Sequence, residues 1–145
     1  MNHTLTCLEG TLNFDEEIKT QAIDIVTFRT GQQITINRDH LIEGQTLTEN
    51  LILQLNKAEK IFNEFNLIKM EEINDNRNFI NAVQVIYSFI PVKGAGQRVW
   101  QVTYACQISD TRMINFASLY PDEKSMENEM HRLAHCFEGF SLRKP

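Results

Sequence analysis

His131 and His135 come closest to a chemical motif in residue type and spacing. They lie four positions apart in a segment with helical periodicity, so both imidazoles could reach one metal ion, and Glu127 lies four residues earlier. The segment has no HExxH pattern, and no third ligand is evident. Surface histidines on an amphipathic helix explain this spacing better, and we expect no bound metal.

Cysteine chemistry is the second possibility. Cys136 directly follows His135, but neighbours on a helix point about 100° apart and do not face each other. The chain has three cysteines and no CxxC pair, which indicates neither a disulfide framework nor a zinc site. We expect the cysteines to be small buried hydrophobic residues.

Two acidic clusters and one glycine-containing loop are the remaining candidates for an enzyme signature. The clusters, at 15–17 and 71–72, lie next to predicted turns, where solvated carboxylates are the natural interpretation. The loop at 93–98 lacks the GxxxxGK[ST] pattern and has no helix after it, so it is a hairpin loop and not a phosphate-binding loop. We therefore expect no catalytic residues, no cofactor and no enzymatic activity.

Length and charge limit the remaining classes. The 145 residues, 1–145, predict one domain with a sizeable core. A net charge of −5 argues against a general nucleic-acid binder, whose affinity depends on neutralising phosphates. No signal-peptide pattern and no run of roughly 20 apolar residues is present, so we expect a cytoplasmic protein without direct membrane insertion.

Periodicity predicts an α+β domain in the order strands, helix, meander, helix. Thr46 and Glu49 form a capping box for the first helix, whose apolar stripe runs from Leu47 to Phe65 and includes Gln54. The second helix is predicted at 123–137. The predicted strands are a short pair within 4–14, a hairpin at 22–28 and 33–38, and a four-strand meander at 67–73, 79–90, 99–108 and 112–119, with a possible last extended piece at 140–142.

The predicted strands are apolar on both faces, but each face has a different character. In 99–108 the even positions are bulky and the odd ones, such as Gln101 and Thr103, are small or carry an amide. In 79–90 the even positions, among them Gln84 and Ile86, have that small and amide-bearing character. An ordinary solvated face would carry Lys and Glu. We therefore predict that this second kind of face binds something; the alternative is a second core face under a helix.

The early hairpin contributes a matching row of branched residues, Ile23 and Ile25, on one face of its first strand. A surface of Ile, Ala, Thr, Ser and Gln is like the lining that transmembrane helices offer one another, with close packing and hydrogen bonds from polar side chains. Such a face could shield an apolar helix from water. Gln54 belongs to this hypothesis because a buried amide requires a partner.

The order of several short segments resembles the DcrB-like family, and in particular its effector-associated (Eag) chaperones of type VI secretion. The similar pieces span nearly the whole chain: Leu8-Glu9-Gly10-Thr11-Leu12, Ile36-Asn37-Arg38-Asp39, Gly44-Gln45-Thr46-Leu47-Thr48-Glu49, Leu53-Gln54-Leu55, Gln97-Arg98-Val99-Trp100-Gln101-Val102 and Phe137-Glu138-Gly139-Phe140-Ser141-Leu142. No single piece is diagnostic; the specificity lies in their order and in the chain length. The resemblance implies the Mog1/PsbP-like arrangement of an antiparallel sheet with two packed helices.

The resemblance also implies a function. Eag chaperones are cytoplasmic, non-enzymatic and commonly dimeric, and they hold the N-terminal transmembrane helices of a secreted effector, beside its PAAR domain, before export. Ile23 and Ile25 match the paired branched residues of their early strand, and Gln101 and Gln54 match glutamines of their groove. Together with the strand pattern, this predicts a client-binding set of Ile23, Ile25, Gln54, Gln84, Ile86, Gln101 and Thr103.

Two other classes remain open from the sequence. A small-molecule-binding protein or enzyme of a similar α+β fold would have a closed cavity with convergent charged residues. A structural adaptor for a soluble partner would need no surface that shields apolar helices.

Overall fold

The computed structural model describes residues 3–7, 9–18, 23–74, 78–91 and 96–141. The helices and strands in these ranges are β1 (Thr4–Cys7), β2 (Gly10–Asn13), β3 (Ile23–Thr27), β4 (Gln33–His40), α1 (Leu47–Ile61), β5 (Asn63–Glu72), β6 (Asn81–Ile90), β7 (Val99–Gln107), β8 (Arg112–Tyr120) and α2 (Glu123–Glu138).

Six strands form one antiparallel sheet in the order β3-β4-β8-β7-β6-β5, while β1 and β2 pair in a separate two-stranded sheet. The helix α1 packs against β5, β6 and β7 on one face of the large sheet, and α2 packs against β7 and β8 on the other. The predicted α+β class and the order strands, helix, meander, helix are confirmed.

Side-chain caps fix where both helices begin. Thr46 Oγ1 accepts a hydrogen bond from the Glu49 N–H at 3.1 Å, and Glu49 Oε1 accepts one from the Thr46 N–H at 3.1 Å. This is the predicted capping box, which satisfies two N–H groups that the first turn leaves without helical partners. Asp122 caps α2, where its Oδ1 accepts from the Ser125 N–H at 2.7 Å.

The end of the first helix differs from the prediction. The stripe was expected to continue to Phe65, but α1 ends at Ile61 and Phe62 is already extended, with ψ of 139°. The chain then enters β5 directly at Asn63. Phe62 stacks on Phe89 with ring centroids 4.2 Å apart, and Phe65 packs on Tyr87 at 5.1 Å. Both rings therefore pack in the same apolar layer although their backbone is extended. The helical spacing of apolar residues alone does not distinguish this arrangement from a continued helix.

Each helix covers its own core cluster. Under α2, Phe116, Val102, Leu133 and their neighbours are almost completely buried. Phe79 is the first residue of the predicted strand 79–90, but it lies before β6 and packs on this α2 side, with its ring 5.4 Å from that of Phe137. Under α1 a smaller cluster contains Leu47, Leu51, Val83, Val85, Ala105 and Met113.

Some predicted segments fall partly outside the described residues. These are residue 8 of the short strand pair, the start of the hairpin at residue 22, residues 93–95 of the hairpin loop and residue 142 of the last extended piece. Residues 140 and 141, which are described, do not form a strand. Neither of the two helices found in the described ranges is both long enough and apolar enough to cross a membrane.

Candidate functional site

The sheet face on which α1 packs, called here the α1-side face, is only partly covered by that helix. Two cross-strand rows run across it from the edge strand β3 to the strands beneath α1. One row consists of Ile25, Thr35, Ala117, Thr103 and Val85, and the other of Ile23, Asn37, Asn115, Ala105 and Val83. Val85 and Val83 are buried under α1, whereas the part of this face on β3, β4 and β8, called the open half, has exposed apolar side chains.

The open half begins at two exposed branched residues. Ile23 and Ile25 are 52% and 61% exposed, and both point to the α1-side face because they pair with Asn37 and Thr35. Leu119 on β8 is 54% exposed and lies on the same face, opposite Gln101. Single exposed apolar residues are ordinary on protein surfaces, whereas several on one sheet face make that face a candidate interaction surface.

A polar network positions the hairpin that carries these isoleucines. Gln32, in the β3–β4 turn, donates to the Tyr120 hydroxyl at 3.0 Å and accepts from Arg132 of α2 at 3.0 Å. Ser118 donates to the Gln33 carbonyl at 2.8 Å. The turn is thereby held to β8 and α2, and the backbone of β4 fixes the orientation of β3.

A cleft of about 280 Å³ lies between α1 and the centre of the α1-side face, next to the open half. Its wall is a mixture of small, apolar and amide-bearing side chains: Asn37, Asp39, Leu51, Gln54, Leu55, Ala58, Val85, Tyr87, Gln101, Thr103, Ala105, Asn115 and Ala117. Among the described residues of this wall, Asp39 is the one that is charged. Burial raises the pKa of Tyr87 above its ordinary value, so its hydroxyl is neutral at physiological pH.

Several amides of the cleft donate hydrogen bonds to other polar side chains. Gln101 donates to Thr103 Oγ1 at 3.2 Å. Gln54 was predicted to be a buried amide but is exposed, and it donates to Asn50 within α1. Asn115 donates to Asn37 Oδ1 at 3.1 Å. None of these bonds uses a loop backbone, so the cleft offers side-chain amides to an occupant.

The structure brings together five of the seven predicted site residues. Ile23 and Ile25 lie on the open half, and Gln54, Gln101 and Thr103 line the cleft beside it. Together they form a surface that runs from the edge of the sheet to α1.

The remaining two, Gln84 and Ile86, lie on the opposite face. Ile86 pairs with Val102 and belongs to the core under α2, and Gln84 is buried and donates to the Tyr104 hydroxyl at 3.1 Å. Successive side chains of a strand alternate between faces, and Val85 is the neighbour of Thr103. The small and amide-bearing faces of β6 and β7 therefore do not form one surface.

Sequence reasoning missed Asn37 and Asn115 as site residues. Asn115 stands in the middle of a strand, where asparagine is depleted, and this was the available signal. The pairing of β4 with β8, which places Asn37 beside Asn115, follows from the topology and not from local sequence.

Within the described residues, histidine and cysteine form no comparable site. The rings of His131 and His135 are 6.1 Å apart, and no group of three or more His, Cys, Asp or Glu side chains in the described ranges could hold a metal ion. Burial raises the pKa of both Cys106 and Cys136, which disfavours the nucleophilic thiolate.

Comparison with known proteins gives a family and a fold. The family model of DcrB matches residues 9–134. A crystal structure of PA94 from Pseudomonas aeruginosa, described as a protein of unknown function and a candidate regulator, has a TM-score of 0.69 and 16% identity. The match covers 98% of this chain and 97% of that one, and at this identity it shows the fold alone. No curated protein matches. Because its family model spans most of the sequence, the chain belongs to the DcrB family.

Proposed function

We propose that this protein is a cytoplasmic chaperone that binds the N-terminal transmembrane helices of a type VI secretion effector, beside its PAAR domain, and shields them from water before export. The observation that carries the proposal is the open half of the α1-side face, where exposed Ile23 and Ile25 lie next to an amide-lined cleft. Such a chaperone needs no cofactor and no catalytic residue. It works as a homodimer in this proposal, as the resemblance to Eag chaperones implies.

The dimensions of the sheet suit a helical client. Six strands spaced by about 4.8 Å span about 24 Å between the outer strands, whereas a helix with its side chains is about 10 Å wide. The helix α1 lies over β5, β6 and β7, so the strip over β3, β4 and β8 has room for one further helix. An apolar client helix lying there would bury the isoleucines and contact the cleft amides with its flank.

The chemistry of the strip suits a transmembrane helix better than an ordinary amphipathic one. Thr35 lies between Ile25 and Ala117, which lines the cleft, and such small side chains let a helix backbone approach closely. Burial of apolar area contributes about 25 cal/mol per Å². The amides hydrogen-bond polar positions of the client and so set its register.

The rival class, a small-molecule binder or enzyme, is less well supported. Its pocket would enclose its ligand, with several charged groups converging on it. The cleft is open towards the exposed strip, and Asp39 is the one charged residue among those that line it.

Co-expression tests the proposal. The chain is produced with a tagged effector fragment that contains the N-terminal helices and the PAAR domain, and the fragment is purified from the detergent-free soluble fraction. The matched control is the same fragment with its helices deleted. We expect the helix-containing fragment to be soluble and bound only when the chain is present, and the deleted fragment to remain unbound. An insoluble client beside an unbound chain would contradict the proposal.

A further inference from the structure

Asn115 presents an unsatisfied polar atom at the cleft. The residue is 8% exposed, and its Nδ2 donates to Asn37 Oδ1 at 3.1 Å. Its Oδ1 is buried and has no hydrogen-bond partner among the described residues. Buried polar atoms in native structures are nearly always paired, so one that remains unpaired beside a cleft requires an explanation.

The surroundings of Asn115 explain why the chain does not pair this atom itself. Its neighbours across the strands are Asn37 and Ala105, and Ala117 follows on the same face. The two alanines carry no hydrogen-bonding group and leave space in front of the amide. Because the last torsion of an asparagine side chain has a broad minimum, the amide can turn towards a group that enters the cleft.

The same surroundings restrict what that group can be. If the oxygen and nitrogen of the Asn115 amide were exchanged, a buried N–H would be unpaired instead of the oxygen. An occupant that both donates and accepts hydrogen bonds therefore suits either orientation of the amide. Hydroxyls and carboxamides have this property. A carboxylate would lie close to Asp39, with no cationic side chain among the described residues that line the cleft.

We propose that the cleft selects clients whose apolar helix presents a hydroxyl or carboxamide side chain to Asn115. This inference rests on the chaperone function proposed above and adds the rule by which the site chooses among apolar helices. Asn115 is a specificity-determining residue, while the isoleucines supply general affinity.

The test uses model helices and so needs no identified client. A 20-residue Leu/Ala helix is fused to a soluble carrier, and Ser, Asn or Asp is placed in turn at each of seven successive central positions. Affinity for the full chain is measured by biolayer interferometry. We expect Ser or Asn at one or two positions to bind about five- to tenfold more tightly than the apolar parent, the size of one net hydrogen bond, and Asp to bind more weakly than the parent.

The outcomes separate the two proposals. If the apolar parent binds and no Ser or Asn position improves on it, the inference is wrong and the chaperone function stands. If no helix binds, the chaperone function itself fails and the inference fails with it.

Substitution of Asn115 adds a second measurement. In Asn115→Val the advantage of Ser over the parent helix should disappear. Thermal unfolding should show a folded variant: Val suits a strand, and although the substitution removes the hydrogen bond to Asn37, it also removes the unpaired buried oxygen. The matched control is Asn66→Val, at an exposed position on β5, which should keep the advantage. A Ser advantage that survives in Asn115→Val would overturn the assignment.

Discussion

Replacing Ile23 and Ile25 together tests whether they belong to the proposed binding surface or to the core. Each side chain is already more than half exposed, so Ile→Asp removes about 1 kcal/mol of burial from the folded state at each site. Loss of β-propensity adds up to about 1 kcal/mol per site. The double variant should therefore lose about 2–4 kcal/mol from a typical total of 5–15 kcal/mol and remain folded.

The effect of the aspartate pair on client binding should exceed its effect on stability. The exposed half of each isoleucine would be buried by the client, which contributes about 2 kcal/mol in total. Ile23→Ala with Ile25→Ala should therefore weaken binding about 30-fold. The aspartate pair must also lose hydration against an apolar helix, at a cost of several kcal/mol, so binding should fall by about 1,000-fold or more.

The assay combines circular dichroism, thermal unfolding and pull-down of the co-expressed effector fragment. A matched control is Ile68→Asp with Ile80→Asp, which adds the same charge at exposed isoleucines that lie outside β3, β4 and β8. We expect the control to retain the client. Two results would refute the reasoning: a folded Ile23/Ile25 aspartate variant that binds normally, or an unfolded one, which would assign these residues to the core.

Three further predictions concern the parts of the fold that hold the site in place. Gln84→Leu should lower the unfolding free energy by about 1 kcal/mol, through loss of the bond to Tyr104, and leave client affinity unchanged; reduced affinity would contradict its position under α2. Thr46→Ala should cost about 1 kcal/mol in urea unfolding by removing the α1 cap, and Thr46→Ser should restore it. Hydrogen bonds from Ser125 lower the pKa of Asp122 in the folded state. The stabilising effect of the Asp122 carboxylate is therefore present above about pH 4 and is lost as the pH falls through the lower pKa of the folded state. The melting temperature of the wild type should therefore fall more steeply on acidification than that of Asp122→Asn, and parallel curves would exclude this effect.

The strand pattern predicted the sheet but not which strand faces combine. In β7 the bulky residues face α2, whereas in β6 the bulky residues Val83, Val85 and Tyr87 face α1. The bulky side chains of these two paired strands therefore lie on opposite faces of the sheet. Only the register, in which Val85 lies opposite Thr103, shows that Gln84 and Ile86 belong to the other face.

The open half could be predicted only in part for a similar reason. Ile23 and Ile25 were identified because alternation separates them from Val26 within one strand, and Val26 indeed lies opposite Ile34 on the α2 side. Asn37 and Asn115 are 78 positions apart in the sequence. Their side chains are in contact only because β4 lies beside β8. Local periodicity contains no information about such a pairing.

The α2 side of the sheet is covered more completely than the α1-side face. This difference allows the site to vary without loss of the fold. The α2 side buries Phe116, Tyr120 and Leu133 almost completely, and its polar atoms near the β3–β4 turn are paired through Gln32. Most of the burial that stabilises the sheet is thus independent of the strip over β3, β4 and β8. Substitutions on that strip should change client affinity by more than they change stability, whereas substitutions under α2 should do the reverse. A chaperone with this division could adapt its strip to a different helix while the sheet beneath it remains folded.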